Sequence, residues 1–352
     1  MPTASVMLRP LGSLAGAPPP SPTLHGALCW ATAILFGEEQ AQRMAQELTC
    51  TDAFPLVWRE GEQPLRFFPL PVLAPRAASS SERSLEGKRD ATRALNQQKR
   101  LKGARYLSER LFEQIAQGNL PLERLGVLLA EQQVVLQSGC LMTREEAETV
   151  DKGSARRPLL TSSDVVHNEI DRWTLAVAEG RLFLREETFF APGVGLWFAV
   201  HLPSEELIRL LPALLRFLED TGVGGERTTG KGHFLYRLDK EAFSLPVPPD
   251  ANAWVSLSHY LPTPDEIQSW QQRSPAPRYR LVAWQARYEA MFAGGEVVYK
   301  PLRRLFAPCS VFPLAEKQEI YGRAVPSGER LGHTVWVCGR ALPAFIRAGG
   351  GV

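Results

Sequence analysis

Hydrophobic residues recur at helical spacing between residues 205 and 220. Ser204 stands just before this run, where its side chain can cap a helix, and two glutamates follow it in the first turn. The apolar positions on one helical face are Leu207, Leu210, Leu211, Leu214 and Leu218. Pro212 lies inside the run and should kink the helix. The pattern therefore predicts a helix that leads through a glycine-rich loop into a strand at 234–238.

The alternation of apolar and polar residues predicts further elements on both sides of this segment. Before it we expect a strand at 4–9, a helix from Ser21-Pro22 that is interrupted at Gly37, a hairpin of 54–58 and 65–69 across Glu60-Gly61, a helix at 106–117, a strand-like stretch at 165–190 with a turn at Glu179-Gly180, and a strand at 196–202. After a proline-rich linker at 246–249 we expect strands at 254–260, 279–288, 296–306 and 334–340, with a helix capped by Thr263.

This order of strand, helix, hairpin, helix and strand predicts an α+β fold of the ferredoxin-like type, enlarged by insertions. The shorter segment after the linker looks like a partial repetition of the first. We therefore predict two ferredoxin-like modules, at residues 1–245 and 246–352.

The loop after the leucine-rich helix combines glycine with cations. It contains Gly222, Gly224, Gly225, Gly230 and Gly232 together with Arg227, Thr228, Thr229 and Lys231. Glycine lets the backbone approach a ligand closely, and successive exposed N–H groups beside cations bind anions. The loop is thus a candidate phosphate site, although a helix cap followed by a flexible turn is the alternative on the residues alone.

A nucleotide is the obvious phosphate ligand, and the sequence argues against it. Residues 225–231 match G-x-x-x-x-G-K, but Gly232 stands where the P-loop requires the Ser or Thr that binds Mg²⁺. The order is also reversed, because a P-loop connects a strand to a helix N-terminus. ATP hydrolysis is therefore not predicted.

The composition of the chain narrows the remaining classes of protein function. The 352 residues leave room for two domains, and a net charge of +2 requires any nucleic-acid-binding surface to be local. The five cysteines are widely spaced without a C-x-x-C pair, which argues against zinc knuckles and a disulfide framework. Neither a signal peptide nor a bilayer-spanning stretch is visible. We expect a cytoplasmic chain without metal or cofactor.

Positive charge is concentrated in two polar segments. Residues 74–102 are rich in Ser, Ala, Lys and Arg, and residues 134–157 end in Arg156 and Arg157. Such charge runs are commonly solvated loops or exposed helices. A basic arm that becomes ordered on nucleic acid is the functional alternative for 74–102.

Several motifs occur together in the order of one known family. Residues 21–30 are similar to the family's S-D-T-L-F-G-A-L start, and 167–172 (H-N-E-I-D-R) with 180–183 (G-R-L-F) resemble its central hairpin motif. Residues 222–234 resemble the glycine-rich loop of RAMP proteins, and 256–262, Lys300, 309–312 and 333–336 resemble later landmarks. Over nearly its whole length the chain resembles the fourth subunit of the Csm effector complex of type III-A CRISPR systems, in the RAMP superfamily. Pro22, His25 and Cys309 depart from the family pattern.

The resemblance implies RNA-recognition-like modules without catalysis. The family holds the repeat-derived 5′ tag of CRISPR RNA (crRNA) and bridges backbone subunit three to the large polymerase-type subunit in a hetero-oligomeric ribonucleoprotein. A thumb-like hairpin is expected to separate tag and guide. The RNA-binding residues predicted on this basis are Gly222, Gly224, Gly225, Arg227, Thr228, Thr229, Gly230, Lys231, Gly232, His167, Asn168, Arg172, Arg156 and Arg157.

The residue chemistry agrees with this assignment but leaves alternatives. Arg227 can grip a phosphate with two N–H groups, whereas Lys231 acts as a point charge. His167 and Asn168 can bind sugar or base edges, or instead satisfy a turn at a strand end. Arg172 can bind RNA backbone or pair with Asp171, and Trp173 can stack on a base, although a hairpin tryptophan is more often part of a core.

The competing enzymatic hypothesis is a metal-free CRISPR RNA-processing endoribonuclease, since RAMP relatives include such enzymes. His25, His167 and His233 are the candidate acid–base groups, but no sequence pattern brings them together. We predict no catalytic residue.

Overall fold

The computed structural model describes residues 3–58, 63–72, 99, 101–150, 158–171, 173–271, 273–288, 298–330 and 333–348. The strands up to residue 245 are β1 (Thr3–Pro10), β2 (Leu14–Ala15), β3 (Thr49–Cys50), β4 (Phe54–Val57), β5 (Leu65–Pro69), β6 (Tyr106–Ser108), β7 (Val134–Gln137), β8 (Cys140–Thr143), β9 (Leu160–Ile170), β10 (Val177–Phe190), β11 (Val194–His201) and β12 (Phe234–Ala242). The helices there are α1 (Ser21–Phe36), α2 (Glu38–Glu47), α3 (Glu109–Ala116), α4 (Leu125–Ala130), α5 (Arg144–Val150) and α6 (Glu205–Thr221), with 3₁₀ turns at Leu122–Arg124 and Arg227–Thr229.

The largest sheet in the described chain has nine strands in a mixed arrangement. Its order is β12-β1-β11-β4-β5-β6-β8-β7, with β3 paired to β11. β1 is antiparallel to both β11 and β12, so Met7 lies opposite Trp197 on one side and Arg237 on the other. Only the β6–β8 contact is parallel among the described pairs of this sheet. The architecture is α+β.

Alternating residues of β1 and β11 point to opposite faces of the sheet. Val6 and Phe198 belong to a core with the apolar sides of α1, α2 and α6. Met7 and Trp197 belong to a second core that includes α3 and strands near the C-terminus. Trp197 is fully buried and donates from Nε1 to the Phe67 carbonyl at 3.0 Å. Because both faces of the central strands are covered, ligands can reach this sheet only at its loops and edges.

The described residues after 245, which we call the C-terminal unit, contain seven strands and one helix. Its elements are β13 (Ala253–Ser256), α7 (Pro264–Trp270), β14 (Leu281–Trp284), β15 (Arg303–Phe306), β16 (Val311–Pro313), β17 (Tyr321–Arg330), β18 (His333–Ala341) and β19 (Pro343–Ile346). They form a three-stranded sheet β16-β13-β19 and the pairs β14–β15 and β17–β18. Trp254 stacks on Tyr321 with ring centroids 4.2 Å apart. Val255 and Ile346 share the second core with Met7 and Trp197, so the unit is packed directly on the sheet.

Two predicted helix starts were confirmed in their chemistry. Ser204 Oγ accepts from the Leu207 N–H, and α6 continues through Pro212. Thr263 forms a reciprocal capping box with Glu266 at α7. The order of helix α6, glycine loop and strand β12 is also as predicted, and it differs from the context of a P-loop.

Other element predictions were wrong. Residues 106–108 are strand β6, so the helix begins at Glu109, and the polar segment 134–157 contains the antiparallel pair β7–β8. The hairpin turn lies at 171–176 rather than at 179–180; Gly180, with φ +72°, occupies the register shift between Val177 and Leu182. Glu60-Gly61, most of 74–102, Arg156, Arg157 and Arg172 lie outside the described residues.

Candidate functional site

The glycine-rich loop has a closed shape. Gly222 ends α6 with φ +75° and donates its N–H to the Leu218 carbonyl. Val223 N–H donates to the Gly232 carbonyl at 2.9 Å, and Gly232 N–H donates to the Ser13 carbonyl at 3.0 Å. A Cβ on Gly232 would lie 2.1 Å from the Val223 carbonyl oxygen, so only glycine fits this crossing. The loop is thus a defined turn that is fixed to the segment between β1 and β2.

Several backbone N–H groups that were predicted to bind phosphate instead donate hydrogen bonds within the loop. The N–H groups of Thr229, Gly230 and Lys231 donate to loop carbonyls at 3.0 to 3.2 Å. Within the described chain, the N–H groups of Gly224 and Gly225 have no hydrogen-bond partner, and both residues are exposed. An anion can therefore bind the outer part of the loop through these two groups.

Lys231 forms an ion pair with a carboxylate. Its Nζ donates to Glu187 Oε2 at 2.6 Å and to Ser13 Oγ at 3.0 Å, while Ser13 Oγ donates to the same carboxylate oxygen. His167 Nε2 lies 2.8 Å from Glu187 Oε1. Burial opposes the charge of Glu187, but the bonds from Lys231, Ser13 and His167 outweigh it and lower its pKa to about 2. Two predicted RNA-binding side chains thus meet at one buried carboxylate, which we call the Glu187 cluster (Ser13, His167, Glu187, Lys231).

Arg227 lies on the side of the loop that faces α1. Its guanidinium carbon is 5.0 Å from the ring centroid of Trp30 in α1. Arg185, from β10, pairs with Glu226 at 3.2 Å and lies over the ring of Phe183. Thr229 Oγ1 donates to the Glu226 carbonyl at 2.8 Å. The exposed outer rim of the loop therefore consists of Gly224, Gly225, Thr228, Thr229 and Gly230, with Arg227 beside them.

The β9–β10 hairpin projects apolar side chains into solvent. Trp173 at its turn is 96% exposed, so the expectation that this tryptophan belongs to a core is wrong. Asp171 accepts from the N–H groups of Trp173 and Thr174, which fixes the turn and lowers the pKa of its carboxyl. Asn168 is exposed along β9, and His167 stacks on Phe183 with ring centroids 5.7 Å apart. The base of this hairpin is joined to the glycine loop through the Glu187 cluster.

The three candidate catalytic histidines have different partners. His25 Nε2 lies 3.1 Å from the Ala45 carbonyl, and burial together with Arg340 lowers its pKa to about 3. His233 Nε2 lies 3.1 Å from the Arg227 carbonyl, and His167 contacts Glu187. Among the described residues, no group of three His, Cys, Asp or Glu side chains is placed to hold a metal ion.

An open cavity of about 700 Å³ borders the glycine loop, and sequence reasoning missed most of its lining. Trp284, the last residue of β14, and Tyr288 beyond it line the cavity, and Lys300 lines it from the segment that is hydrogen-bonded to Ala286 and Tyr288. Period-2 alternation at 284, 286 and 288 in a predicted strand does not distinguish a ligand wall from a core face. Residues 21–30, Lys300 and residues 333–336 were singled out as landmarks of the family resemblance, not as the lining of a cavity. None of the described helices is long and apolar enough to cross a membrane.

Comparison with known proteins yields matches in structure only. Neither a protein-family model nor a curated protein sequence matches the chain. A chain of the Csm3–Csm4 subcomplex in the type III-A CRISPR-Cas interference complex matches with a TM-score of 0.60 at 14% identity, over 95% of this chain and 98% of the other. A chain of the Csm1–Csm4 cassette in complex with pppApA matches with a TM-score of 0.57 at 18% identity, over 99% and 100%. Csm4 is the subunit that these two complexes share, and this chain has the same fold over nearly its full length.

Proposed function

We propose that this chain is a non-catalytic subunit of a type III-A CRISPR effector complex that holds the 5′ tag of crRNA and bridges the large subunit to backbone subunit three. The observation that carries the proposal is the fold likeness, which spans at least 95% of this chain and 98% of both matched chains. Those chains come from complexes with Csm3 and with Csm1, which supports the two protein partners.

The strand order supports the finer assignment of a ferredoxin-like module. β1, α1, β4, β11, α6 and β12 follow one another as strand, helix, strand, strand, helix and strand. Their spatial order, β12-β1-β11-β4, places the fourth strand beside the first, and all three contacts are antiparallel. RNA-recognition modules of this topology commonly stack bases on the open sheet face. Here that face is buried under α3 and the C-terminal unit, so we assign RNA binding to the loop side.

The loop side offers suitable chemistry for a single strand. Gly224 and Gly225 present N–H groups to phosphate, and Arg227 can bind phosphate beside them. Lys231 and His167 act through Glu187 in this arrangement, so we assign them the role of positioning the loop against the hairpin. Trp173 at the exposed hairpin turn supports the role of this hairpin as the thumb.

The histidine environments support a role without catalysis. Metal-free RNA cleavage needs a base at the 2′-hydroxyl and an acid at the leaving oxygen. His25 is buried and neutral, while the ring nitrogens of His233 face backbone carbonyls. Incubation of the purified chain with repeat RNA in EDTA should leave the RNA intact; cleavage that is lost in His167→Ala would establish the enzymatic alternative.

The RNA assignment is tested by Arg227→Ala in the assembled complex and in the free chain. Loss of one phosphate contact should lower the slope of log Kd against log salt by about 0.7 for a single strand. Fluorescence anisotropy of labelled crRNA with its 5′ tag measures both affinity and slope. Arg209→Ala is the matched control, because this arginine is exposed near the opposite end of α6. An unchanged slope in Arg227→Ala would remove the loop from the RNA site.

The bridging assignment is tested by co-purification. The chain should be recovered with the large subunit and with backbone subunit three when each pair is co-expressed. Failure to associate with either subunit would contradict the bridging role, whatever the RNA result.

A further inference from the structure

The cavity beside the glycine loop is formed where the two parts of the chain meet. Its walls come from α1, α2, the loop 222–227, the end of β14 with the residues up to 288, Lys300, and β18. Its volume of about 700 Å³ lies within the range of small-molecule binding pockets. The loop face that we assign to RNA therefore borders this open cavity directly.

Lys300 provides a positive charge in this cavity. Its backbone N–H donates to the Ala286 carbonyl at 2.7 Å, so the residue is held in an antiparallel ladder beyond β14 and β15. Its Nζ lies 5.8 Å from the ring centroid of Tyr288, and burial lowers its pKa. Within the described part of the chain, no Asp or Glu forms an ion pair with it. A partly buried cation that has no carboxylate partner among the described residues favours the binding of an external anion.

Aromatic side chains line the same space. Trp284, at the end of β14, and Ala286 and Tyr288 just beyond it all line the cavity. Trp30 enters from α1 with Arg227 over its ring, and Trp336 is held at the rim by Nε1–H donation to Gln42 Oε1 at 2.9 Å. Indole and phenol faces bind nucleobases by stacking with little dependence on base identity.

Small residues keep the cavity open on the helical side. A Cβ placed on Gly26 would meet no atom within 4 Å. A glycine inside a helix destabilises it by up to about 1 kcal/mol relative to alanine, so Gly26 is not explained by the stability of α1. The other small residues in this wall are Ala27, Ala33, Ala41 and Ala45.

We infer that this cavity takes one nucleotide of the bound RNA, with the base against the Trp284 and Tyr288 wall and the phosphate at Lys300. The inference rests on the proposed RNA-binding function and extends it from the surface of the loop to the adjoining cavity. It assigns phosphate recognition to Lys300, while Lys231 remains bound to Glu187.

The test fills the cavity and removes its charge independently. Gly26→Leu adds a side chain to the open space, and Lys300→Met removes the cation while keeping a similar length. Each should raise the Kd for labelled crRNA roughly tenfold, and Lys300→Met should also lower the salt slope by about 0.7. Ala213→Leu on the exposed side of α6 is the matched control and should leave Kd within about twofold. Thermal unfolding verifies that each variant is folded.

The outcomes separate this inference from the proposed function. If the wild-type chain binds crRNA and both Gly26→Leu and Lys300→Met bind it equally well, the cavity assignment is wrong and the loop assignment stands. If the wild-type chain does not bind crRNA, the proposed function fails as well. Mononucleotides that bind the wild-type chain but not Gly26→Leu, with unchanged crRNA affinity in that variant, would show that the cavity serves free nucleotides and overturn the inference.

Discussion

Replacement of Glu187 should uncouple the β9–β10 hairpin from the glycine loop. This carboxylate is 2% exposed at its side chain and accepts hydrogen bonds from Ser13 and Lys231 while contacting His167. Glu187→Gln keeps the shape but removes the charge, whereas Glu187→Ala also leaves Lys231 without its partner.

The magnitude follows from the depressed pKa. A shift from 4.5 to about 2 corresponds to ~3 kcal/mol at neutral pH. Because the side chains of Lys231 and His167 are 21% and 28% exposed, solvent screening reduces this to about 1–2 kcal/mol. We expect Glu187→Gln to lower the free energy of unfolding by that amount. Glu187→Ala should lower it by about 3 kcal/mol, since it leaves a partly buried cation unpaired.

Urea denaturation at pH 7 measures these changes, and hydrogen exchange of residues 160–190 and 222–232 locates them. Glu186→Gln is the control, because the Glu186 side chain is adjacent in sequence but exposed. This variant should change the free energy of unfolding by no more than about 0.5 kcal/mol. The folded-state pKa of Glu187 is below its unfolded value, so the advantage of wild type over Glu187→Gln is complete above pH 4.5 and declines as the pH falls towards 2. Equal urea midpoints for wild type and Glu187→Gln at pH 7 would refute the reasoning.

Three further predictions concern the loop, the seam between the two units and α6. Gly232→Ala should destabilise the chain by more than about 2 kcal/mol, because the added Cβ would clash with the Val223 carbonyl. Gly224→Ala should cost only about 1 kcal/mol, because its Cβ has open space and the sole penalty is left-handed backbone strain. Thermal melts of the two variants measure the difference. His259 Nδ1 lies 3.0 Å from Asp52 Oδ1. Burial opposes the positive charge of His259, but the carboxylate of Asp52 outweighs burial and raises the pKa of His259. The pair therefore stabilises the fold fully below pH 6.5 and less as the pH rises through the folded-state pKa. Asp52→Asn should therefore flatten the fall in stability as the pH rises above 6.5, as measured by urea midpoints. Ser204→Ala should cost about 1 kcal/mol through loss of the α6 cap, and Ser204→Asp should restore it in the same denaturation assay.

Local patterns predicted the elements whose signals are contained within a few residues. Ser204 and Thr263 each correctly predicted a helix start, because a capping side chain acts on the adjacent turn. The turn at 171–176 was missed because a glycine at 180 with flanking polar residues resembles a hairpin turn, while the true turn is fixed by Asp171.

The site was predicted only in part because its contacts are long-range. The glycine loop was identified from its own residues, but Glu187 lies 44 positions before Lys231 and carries no motif. The sequence therefore gave no reason to expect that Lys231 and His167 share a carboxylate. Lys300 and Trp284 reach the cavity only because the C-terminal unit packs beside α1 and the loop.

The position of β1 between β11 and β12 has a consequence for how the chain is made. The first strand ends at Pro10, but its two neighbours are completed only at His201 and Ala242. At ~5–20 residues per second, the ribosome needs about 12 to 46 seconds after β1 to deliver β12. During this interval Val6 and Leu8 lack the partners that bury them, and both edges of β1 are open to pairing with other chains. Fragments that stop before residue 194 should therefore aggregate, and chaperone binding should be strongest on nascent chains that have not yet reached β12.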